Sequence, residues 1–318
     1  MPTFPKPKFV FSYDLPEEIA NLRAWKAKRE VPDRQPDRLL VATWNIANFG
    51  AQERSPSDLA LIAEIVGWFD LIAIQEVREN FGHLESMVHL LPGHRMVFSD
   101  SSGNQERMTF VYDTTKLTLL EKIGEVALPP SQYRNITLKG IGAPFQGFDR
   151  TPYLATFAAG GTSFLFVNAH LFYGSEQRGD IQRRALETFA IAKWADLRRR
   201  SPFAFTREII VLGDFNMPRR EQGDAIYEAL TKLGLELPEH STVVASSISS
   251  DAEYDQVAYF PKETRPLLTG KRGVFDFDGA IFPKLWQSRG KTDFKAWLRY
   301  YISDHRPLWM ELALGSPR

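Results

Sequence analysis

Residues 209–216 read Ile-Ile-Val-Leu-Gly-Asp-Phe-Asn. Four aliphatic residues with no polar interruption are the pattern of a strand buried on both faces, and such strands belong to sheets covered by helices. The apolar run then stops abruptly on Asp214 and Asn216. Working outward, apolar runs of strand length recur at 39–46, 70–77, 108–112, 153–158, 163–170, 256–260 and 308–314. Helical periodicity separates several of them, at 57–68, 81–90, 176–200 and 223–233. This alternation predicts one α/β domain with helices covering its sheets. The polar stretches 129–150 and 261–300 read as loops carrying short elements, long enough to suspect a functional role.

The chain has 318 residues, a length open to two domains or to one large α/β domain. Hydrophobic residues make up 43% and charged residues 25%, which excludes a disordered or fibrous chain. Lys and Arg number 39, as do Asp and Glu, so any basic contact surface must be local. Cysteine is absent, which excludes disulfides, thiolate metal sites and a cysteine nucleophile together. No uncharged apolar run approaches the ~18 residues of a membrane span. Residues 1–13 show neither an apolar core nor a small-residue cleavage site. The expectation is a cytoplasmic protein, or a secreted or periplasmic one if a signal peptide has been removed. Residues 16–38 carry mixed charge and Pro16, Pro32 and Pro36. They read as a short helix at 17–29 and a linker at 31–38, so that 1–38 forms an N-terminal extension and 39–318 a single domain.

The informative feature is what stands at the ends of the apolar runs. One ends in Asn45, one in Glu76, one in His170 and one in Asp214-Phe215-Asn216; Ser303-Asp304-His305-Arg306-Pro307 precedes the last. Taken singly, each has an ordinary explanation: a turn, a solvated strand end, a half-buried histidine, an Asx turn. Five coincidences of one kind are harder to assemble than one site. Ligands in α/β folds sit beyond strand ends. Carboxylates, carboxamides and imidazoles are the donors of an oxygen-ligand Mg²⁺ or Mn²⁺ site with acid–base partners.

Trp44-Asn45-Ile46, Ile74-Gln75-Glu76-Val77, Asn168-Ala169-His170-Leu171, Gly213-Asp214-Phe215-Asn216 and Ser303-Asp304-His305-Arg306-Pro307 resemble, in order and approximate spacing, the motif series of the endonuclease/exonuclease/phosphatase family. The resemblance spans roughly residues 39–314. Within that family the pattern is similar to the deoxyribonuclease I type. Gln75-Glu76-Val77-Arg78, Gln105-Glu106-Arg107, Phe148-Asp149-Arg150-Thr151-Pro152, Tyr254-Asp255-Gln256-Val257 and Phe275-Asp276-Phe277 carry that closer likeness. It implies a four-layer α/β/β/α sandwich, two facing mixed β-sheets flanked by helices, and a single catalytic domain over 39–318.

The resemblance also implies roles. Asn45 and Glu76, with Asp304 directly or through water, hold Mg²⁺, with Mn²⁺ as an alternative. Asp214 orients or deprotonates the attacking water, and Asn216 donates to the phosphate. His170 and His305 flank the scissile phosphate as proton carriers or electrostatic stabilisers, with Glu106 and Asp255 as their respective carboxylate partners. Arg150 binds a phosphate oxygen or buttresses the site. The resemblance leaves open which histidine is the acid and whether one ion or two take part.

The implied activity is metal-dependent phosphodiester hydrolysis, with DNA as the first substrate and partner. Arg78 favours duplex DNA, because its counterpart in the deoxyribonuclease pattern enters the minor groove. Departures point the other way. Asn104 stands where that pattern has a stacking aromatic, and Ala47 where it has an arginine. The alternatives are a phosphatase or phospholipid phosphodiesterase of the same family, or an inactive binding module. Lys284-Leu285-Trp286 is a faint candidate for membrane docking.

Overall fold

In the computed structural model, residues 3–239 and 244–315 are described. The apolar runs pair there into two sheets. In chain order the helices and strands are α1 (Leu15–Lys28), β1 (Arg38–Phe49), α2 (Pro56–Val66), β2 (Leu71–Val77), α3 (Gly82–His89), β3 (His94–Phe98), β4 (Arg107–Asp113), β5 (Thr118–Glu125), β6 (Tyr153–Ala159) and β7 (Thr162–His170). They continue with α4 (Arg178–Arg200), β8 (Glu208–Asp214), α5 (Ala225–Thr231), β9 (Asp255–Tyr259), α6 (Pro261–Thr264), β10 (Leu268–Val274), α7 (Pro283–Tyr301) and β11 (Leu308–Ala313). One sheet has the order β10-β11-β1-β2-β4-β3 and the other β5-β6-β7-β8-β9. Each is mixed: β1 pairs parallel with β2 and β7 with β8, and the remaining neighbours are antiparallel.

The sheets face one another across a core that includes Val41, Leu71, Phe110, Phe157, Phe166, Leu212 and Met310. The outer face of the six-stranded sheet is covered by α1, α2, α3 and α7, with Trp44, Leu61, Phe69, Phe282 and Leu298 in one cluster. Helices α4 and α5 cover the other sheet through Ile191, Trp194, Phe215 and Leu230. This is the four-layer α/β/β/α sandwich. Strands buried on both faces explain why the central runs are apolar at nearly every position. Truncating a ring such as Phe166 to alanine costs about 3–5 kcal/mol in cores of this kind.

The structure corrects the reading of residues 261–300 as loop. They hold β10 and the 19-residue helix α7, which is broken at Gly290 (φ +74°). Phe9, Phe11 and Tyr13, in the segment before α1, pack on Trp297 and Phe282 of the α7 region. Trp25 and Arg29 of the α1 end bond Asp276. No helix among the described residues is long and apolar enough to cross a membrane.

Between the sheets a polar pillar interrupts the apolar core. Gln75 Nε2 donates to Thr43 Oγ1 (3.0 Å) and to Asn168 Oδ1 (2.7 Å), and Asn168 Nδ2 donates to the carbonyls of Ile74 and Thr109, both at 3.1 Å. Every donor of this pillar that reaches across the sheets finds an acceptor, so it fixes the relative register of β2 and β7. Those strands carry Glu76 and His170.

Candidate active site

Parallel pairing of β7 with β8 places His170 beside Asp214 in register. Gly213 permits that approach. A β-carbon there would stand 1.9 Å from the Ala169 carbonyl, and its φ of +140° suits glycine. On the facing sheet, β1 and β2 pair Asn45 with Gln75, next to Glu76. Glu76 (φ +62°), Asn48 (+48°) and Asn216 (+50°) all adopt left-handed backbone. Each costs on the order of 1–3 kcal/mol, and such strain concentrates at functional sites.

Two histidine–carboxylate pairs converge on Asp214. Glu106 Oε2 lies 2.8 Å from His170 Nδ1, and Asp255 Oδ2 lies 2.7 Å from His305 Nδ1. The opposite ring nitrogens face Asp214 Oδ2, at 3.7 Å from His170 Nε2 and 3.9 Å from His305 Nε2. All five groups are nine-tenths buried or more. Asp214 Oδ2 also accepts from Asn45 Nδ2 (3.0 Å), and its Oδ1 accepts from the Asn216 amide (2.8 Å).

Electrostatics follow from this crowding. Burial raises the Asp214 carboxyl, but the His305 and His170 rings and the Asn45 and Asn216 donors outweigh it and hold it below the usual carboxylate range. Burial alone depresses the His305 imidazole; Asp255 and Asp214 overcome that and hold it well above its ordinary value. Burial raises Glu106 as well, yet His170 and Arg150 keep it well below the carboxylate range. Asp304 is pushed up to about 6 by burial and by the Glu76 and Asp214 charges, against the pull of His305.

Arg150 braces the first pair. Its Nε donates to Glu106 Oε2 (2.8 Å), Nη1 to Asp149 Oδ2 (2.6 Å), and Nη2 lies 3.2 Å from His170 Nε2. The Arg150 loop is tied down by Glu187, which accepts from the Asp149 and Phe172 amides, both at 3.2 Å. Asn216 Nδ2 donates to the Leu171 carbonyl (2.8 Å). Arg78 turns inward: Nη2 donates to Asn48 Oδ1 (2.6 Å), Nη1 donates to the Asn104 carbonyl, and Nη2 lies 3.6 Å from Glu106 Oε1. Its side chain is 12% exposed, so a DNA contact from it requires those bonds to be given up.

Asn45 Nδ2 also donates to Glu76 Oε1 (3.1 Å), and Glu76 Oε2 accepts from the Asn48 amide (2.8 Å). Asn45 Oδ1 is buried and has no hydrogen-bond partner among the described residues. An orphaned amide oxygen next to Glu76, with the Asp304 carboxyl close enough to feel the Glu76 and Asp214 charges, is a donor set suited to a hard divalent cation. Asp214, Asp255 and His305 also offer ligand atoms within 4.8 Å of one another. His305 and Asp255 of that grouping are already bonded to one another, whereas the Asn45 oxygen is uncommitted.

Sequence reading assigned no role to Gln75, Asn168, Asn48 or Ser303, although Gln75, Asn168 and Ser303 stand inside the quoted motifs. Ser303 Oγ donates to the Asn45 carbonyl (2.7 Å) and accepts from the His305 amide (3.0 Å), so it holds β1 against the Asp304–His305 segment. The signal for Gln75 and Asn168 is a carboxamide inside an otherwise apolar strand.

No family model matches the chain, and no curated protein matches it in sequence. Solved structures do match. A mannosyl-6-phosphatase from Bacteroides thetaiotaomicron is 19% identical with a TM-score of 0.55, covering 86% of this chain and 99% of its own. Truncated TDP2 from Caenorhabditis elegans is 16% identical with a TM-score of 0.55, covering 87% and 98%. The human Nocturnin catalytic domain, solved with a bound sulfate anion, is 16% identical with a TM-score of 0.55, covering 89% and 95%. Another Bacteroides thetaiotaomicron match, at 19% identity and a TM-score of 0.54 over 88% and 99%, is described as an endonuclease/exonuclease/phosphatase family protein. With its six- and five-stranded mixed sheets between helical layers, the chain has the fold of the endonuclease/exonuclease/phosphatase family.

Proposed function

We propose that the protein is a divalent-metal-dependent phosphoesterase, and that its substrate is a phosphodiester of DNA. The observation that carries the reading is the pair of histidine–carboxylate contacts, 2.8 and 2.7 Å, whose opposite ring nitrogens both face one Asp214 oxygen. Phosphodiester cleavage needs an oriented water, stabilised phosphate charge and a protonated leaving group. The fold shared with a phosphatase and with TDP2 supports the phosphoesterase class.

Asn45, Glu76 and Asp304 are the residues suited to hold the cation. The cation supplies Lewis-acid stabilisation of phosphate charge. Asp214, kept ionised by its neighbours, accepts a proton or hydrogen bond from the attacking water. His305, kept protonated by Asp255 and Asp214, presents an Nε2–H to the phosphate or leaving oxygen. His170 is oriented by Glu106, and the Arg150 guanidinium beside its Nε2 adds a fixed positive charge to the same wall. Asn216 shapes the Asp214 turn through its backbone amide, and its side-chain amide, bonded to the Leu171 carbonyl, would have to turn from that bond to donate to a phosphate oxygen.

Supercoiled plasmid incubated with protein and Mg²⁺, with EDTA, or with Asp214→Ala tests the reading. Nicking by wild type alone is expected, because a positioned base contributes ~10²–10⁴-fold. Intact plasmid overturns the DNA assignment. The second reading, a small-molecule phosphatase, is favoured by the match to a mannosyl-6-phosphatase. Metal-dependent phosphate release from sugar phosphates, with plasmid left intact, identifies it.

A further inference from the structure

Beside the site lies a cleft of about 710 Å³ that the catalytic residues do not use. One wall is the 247–251 loop, tied to the catalytic segment: the Ile248 amide bonds the Asp304 carbonyl (2.9 Å), and the Arg306 amide bonds the Ser246 carbonyl (2.7 Å). The other wall is α7, which contributes Trp286, Lys291, Phe294 and Lys295.

Three features distinguish this cleft from an ordinary surface hollow. First, it is cationic. Lys291 and Lys295 stand one turn apart and form no ion pair or hydrogen bond among the described residues, although like charges at this spacing repel. Their neighbours Arg289 and Asp293 pair with each other instead, at 3.6 Å. Arg306 and Asp278 pair in a two-pronged bridge, 2.7 Å on each arm, leaving Asp251 of the facing loop as the unpaired acid of the cleft lining among the described residues. Burial, followed by the charges of Lys291 and Arg306, lowers the Lys295 ammonium against the smaller pull of Asp278 and Asp251.

Second, the cleft offers an aromatic plate. Trp286 is 47% exposed, and its ring is propped edge-on by Phe294 at 5.2 Å. Leu285 beside it is fully buried, so this side of α7 shows one exposed ring and not an apolar strip for a membrane. Third, the helix break lies between plate and charges. Gly290, with nothing within 4 Å of where a β-carbon would sit, is required for its φ of +74° and not for space; the break bends α7 between Trp286 and Lys291.

We propose that this cleft binds a nucleotide of a single-stranded stretch of substrate next to the scissile phosphate, its base stacked on Trp286 and its phosphate held by Lys291 and Lys295. Stacking plates alternating with cations are how single strands are held without sequence preference. The volume is that of a small-ligand pocket and does not suit a duplex. The proposal rests on the nuclease reading for its position beside the reaction, yet its binding test needs no turnover.

The test is fluorescence anisotropy of a labelled short oligothymidylate in EDTA, over a range of salt, with thymidine 5′-monophosphate as competitor. Trp286→Ala is expected to weaken binding about tenfold, within the range measured for loss of one base–aromatic stack. The double change Lys291→Ala and Lys295→Ala is expected to lower the salt slope by about 0.7, the value for loss of one phosphate contact on a single strand; arginine at both positions should restore it. Displacement by the monophosphate assigns the site to a single nucleotide, and displacement only by the oligomer assigns it to the strand; both support the subsite. All variants should keep the wild-type melting temperature and rate on a small chromogenic phosphodiester. Unchanged affinity and slope in the variants, or no binding by wild type, overturns the subsite. Loss of plasmid nicking by wild type overturns the nuclease reading, whatever anisotropy shows.

Discussion

The Nδ1 of His305 donates to Asp255 Oδ2 across 2.7 Å, and both groups are buried. The pairing leaves Nε2 to face Asp214 and keeps the ring protonated above its ordinary range, because Asp255 and Asp214 together outweigh burial. The sign for activity follows. A reaction that needs the imidazolium holds its rate below the folded-state value and loses it as pH rises through that value. Asp255→Asn removes the largest favourable charge, so the alkaline limb of kcat/KM should move to lower pH. The rate at neutral pH should fall by about 10²–10⁴-fold. An alkaline limb that stays in place in the variant's pH profile excludes His305 as the titrating acid.

Arg78 gives a sharper separation of roles. Its bonds to Asn48 and Asn104 and its approach to Glu106 make it a brace for the His170 pair. Arg78→Ala should therefore lower kcat and alter the pH profile, with a smaller change in KM for plasmid. A groove contact would instead raise KM and reduce the salt slope by about 0.9. Steady-state nicking at several salt concentrations distinguishes the two.

Legibility from sequence tracked burial. The eight runs seen as strands are the strands with at least one neighbour on each side, plus β9, and their two buried faces make the residues apolar throughout. The three strands not recognised, β3, β5 and β10, all lie at sheet edges. Edge strands keep polar residues that discourage pairing with other chains, and Lys122, Lys271 and Arg272 serve that purpose here. Helix α7 was hidden because Gly290 breaks its period: Leu285 lies on one side, and Phe294, Trp297 and Leu298 restart the pattern on the other. At the site, the residue types at the strand ends were readable one by one. The pairing of Glu106 with His170, 64 positions apart, was not; spacing carries no such information, and only resemblance supplied it.

Cation binding should be visible without catalysis. Ligand that binds only the folded state stabilises it by RT ln(1 + [L]/Kd), about 2.7 kcal/mol at a hundredfold excess over Kd. Thermal melts in Mg²⁺ or Mn²⁺ should therefore shift upward relative to EDTA. The shift should shrink in Glu76→Gln and in Asn45→Ala, which remove a carboxylate charge and the orphaned amide oxygen. An undiminished shift in both variants places the ion elsewhere, with Asp214, Asp255 and His305 as the next set to test.

Glu187 makes a prediction about stability. Burial raises its carboxyl from 4.5 to about 7, despite bonds from the Phe172 and Asp149 amides and the Arg183 charge. A carboxylate with a raised folded-state value binds its proton more tightly folded than unfolded. Its linkage therefore lowers stability as pH climbs from 4.5 to about 7 and is flat beyond, by about 3 kcal/mol at most. Urea unfolding of wild type and Glu187→Gln across that window should show a steeper fall in wild type, the difference being the Glu187 contribution. Parallel curves assign the pH dependence to other groups.

Gly213→Ala joins fold to site. The added carbon meets the Ala169 carbonyl at 1.9 Å, and backbone cannot yield as a flexible side chain does. The residue must also hold φ at +140°, where alanine is strained. Relief requires β7 and β8 to separate at the residues that precede His170 and Asp214, so the 3.7 Å approach of those side chains is lost along with stability. Destabilisation of about 2–4 kcal/mol is expected, combining backbone strain with overpacking. Activity at temperatures where the variant remains folded should fall further than its folded fraction accounts for, since a displacement near 1 Å at reacting groups costs about 10²-fold. Far-UV circular dichroism to fix the folded fraction, with plasmid nicking on the same sample, separates the two effects. Activity that tracks the folded fraction alone shows that the glycine serves the sheet and not the alignment of His170 with Asp214.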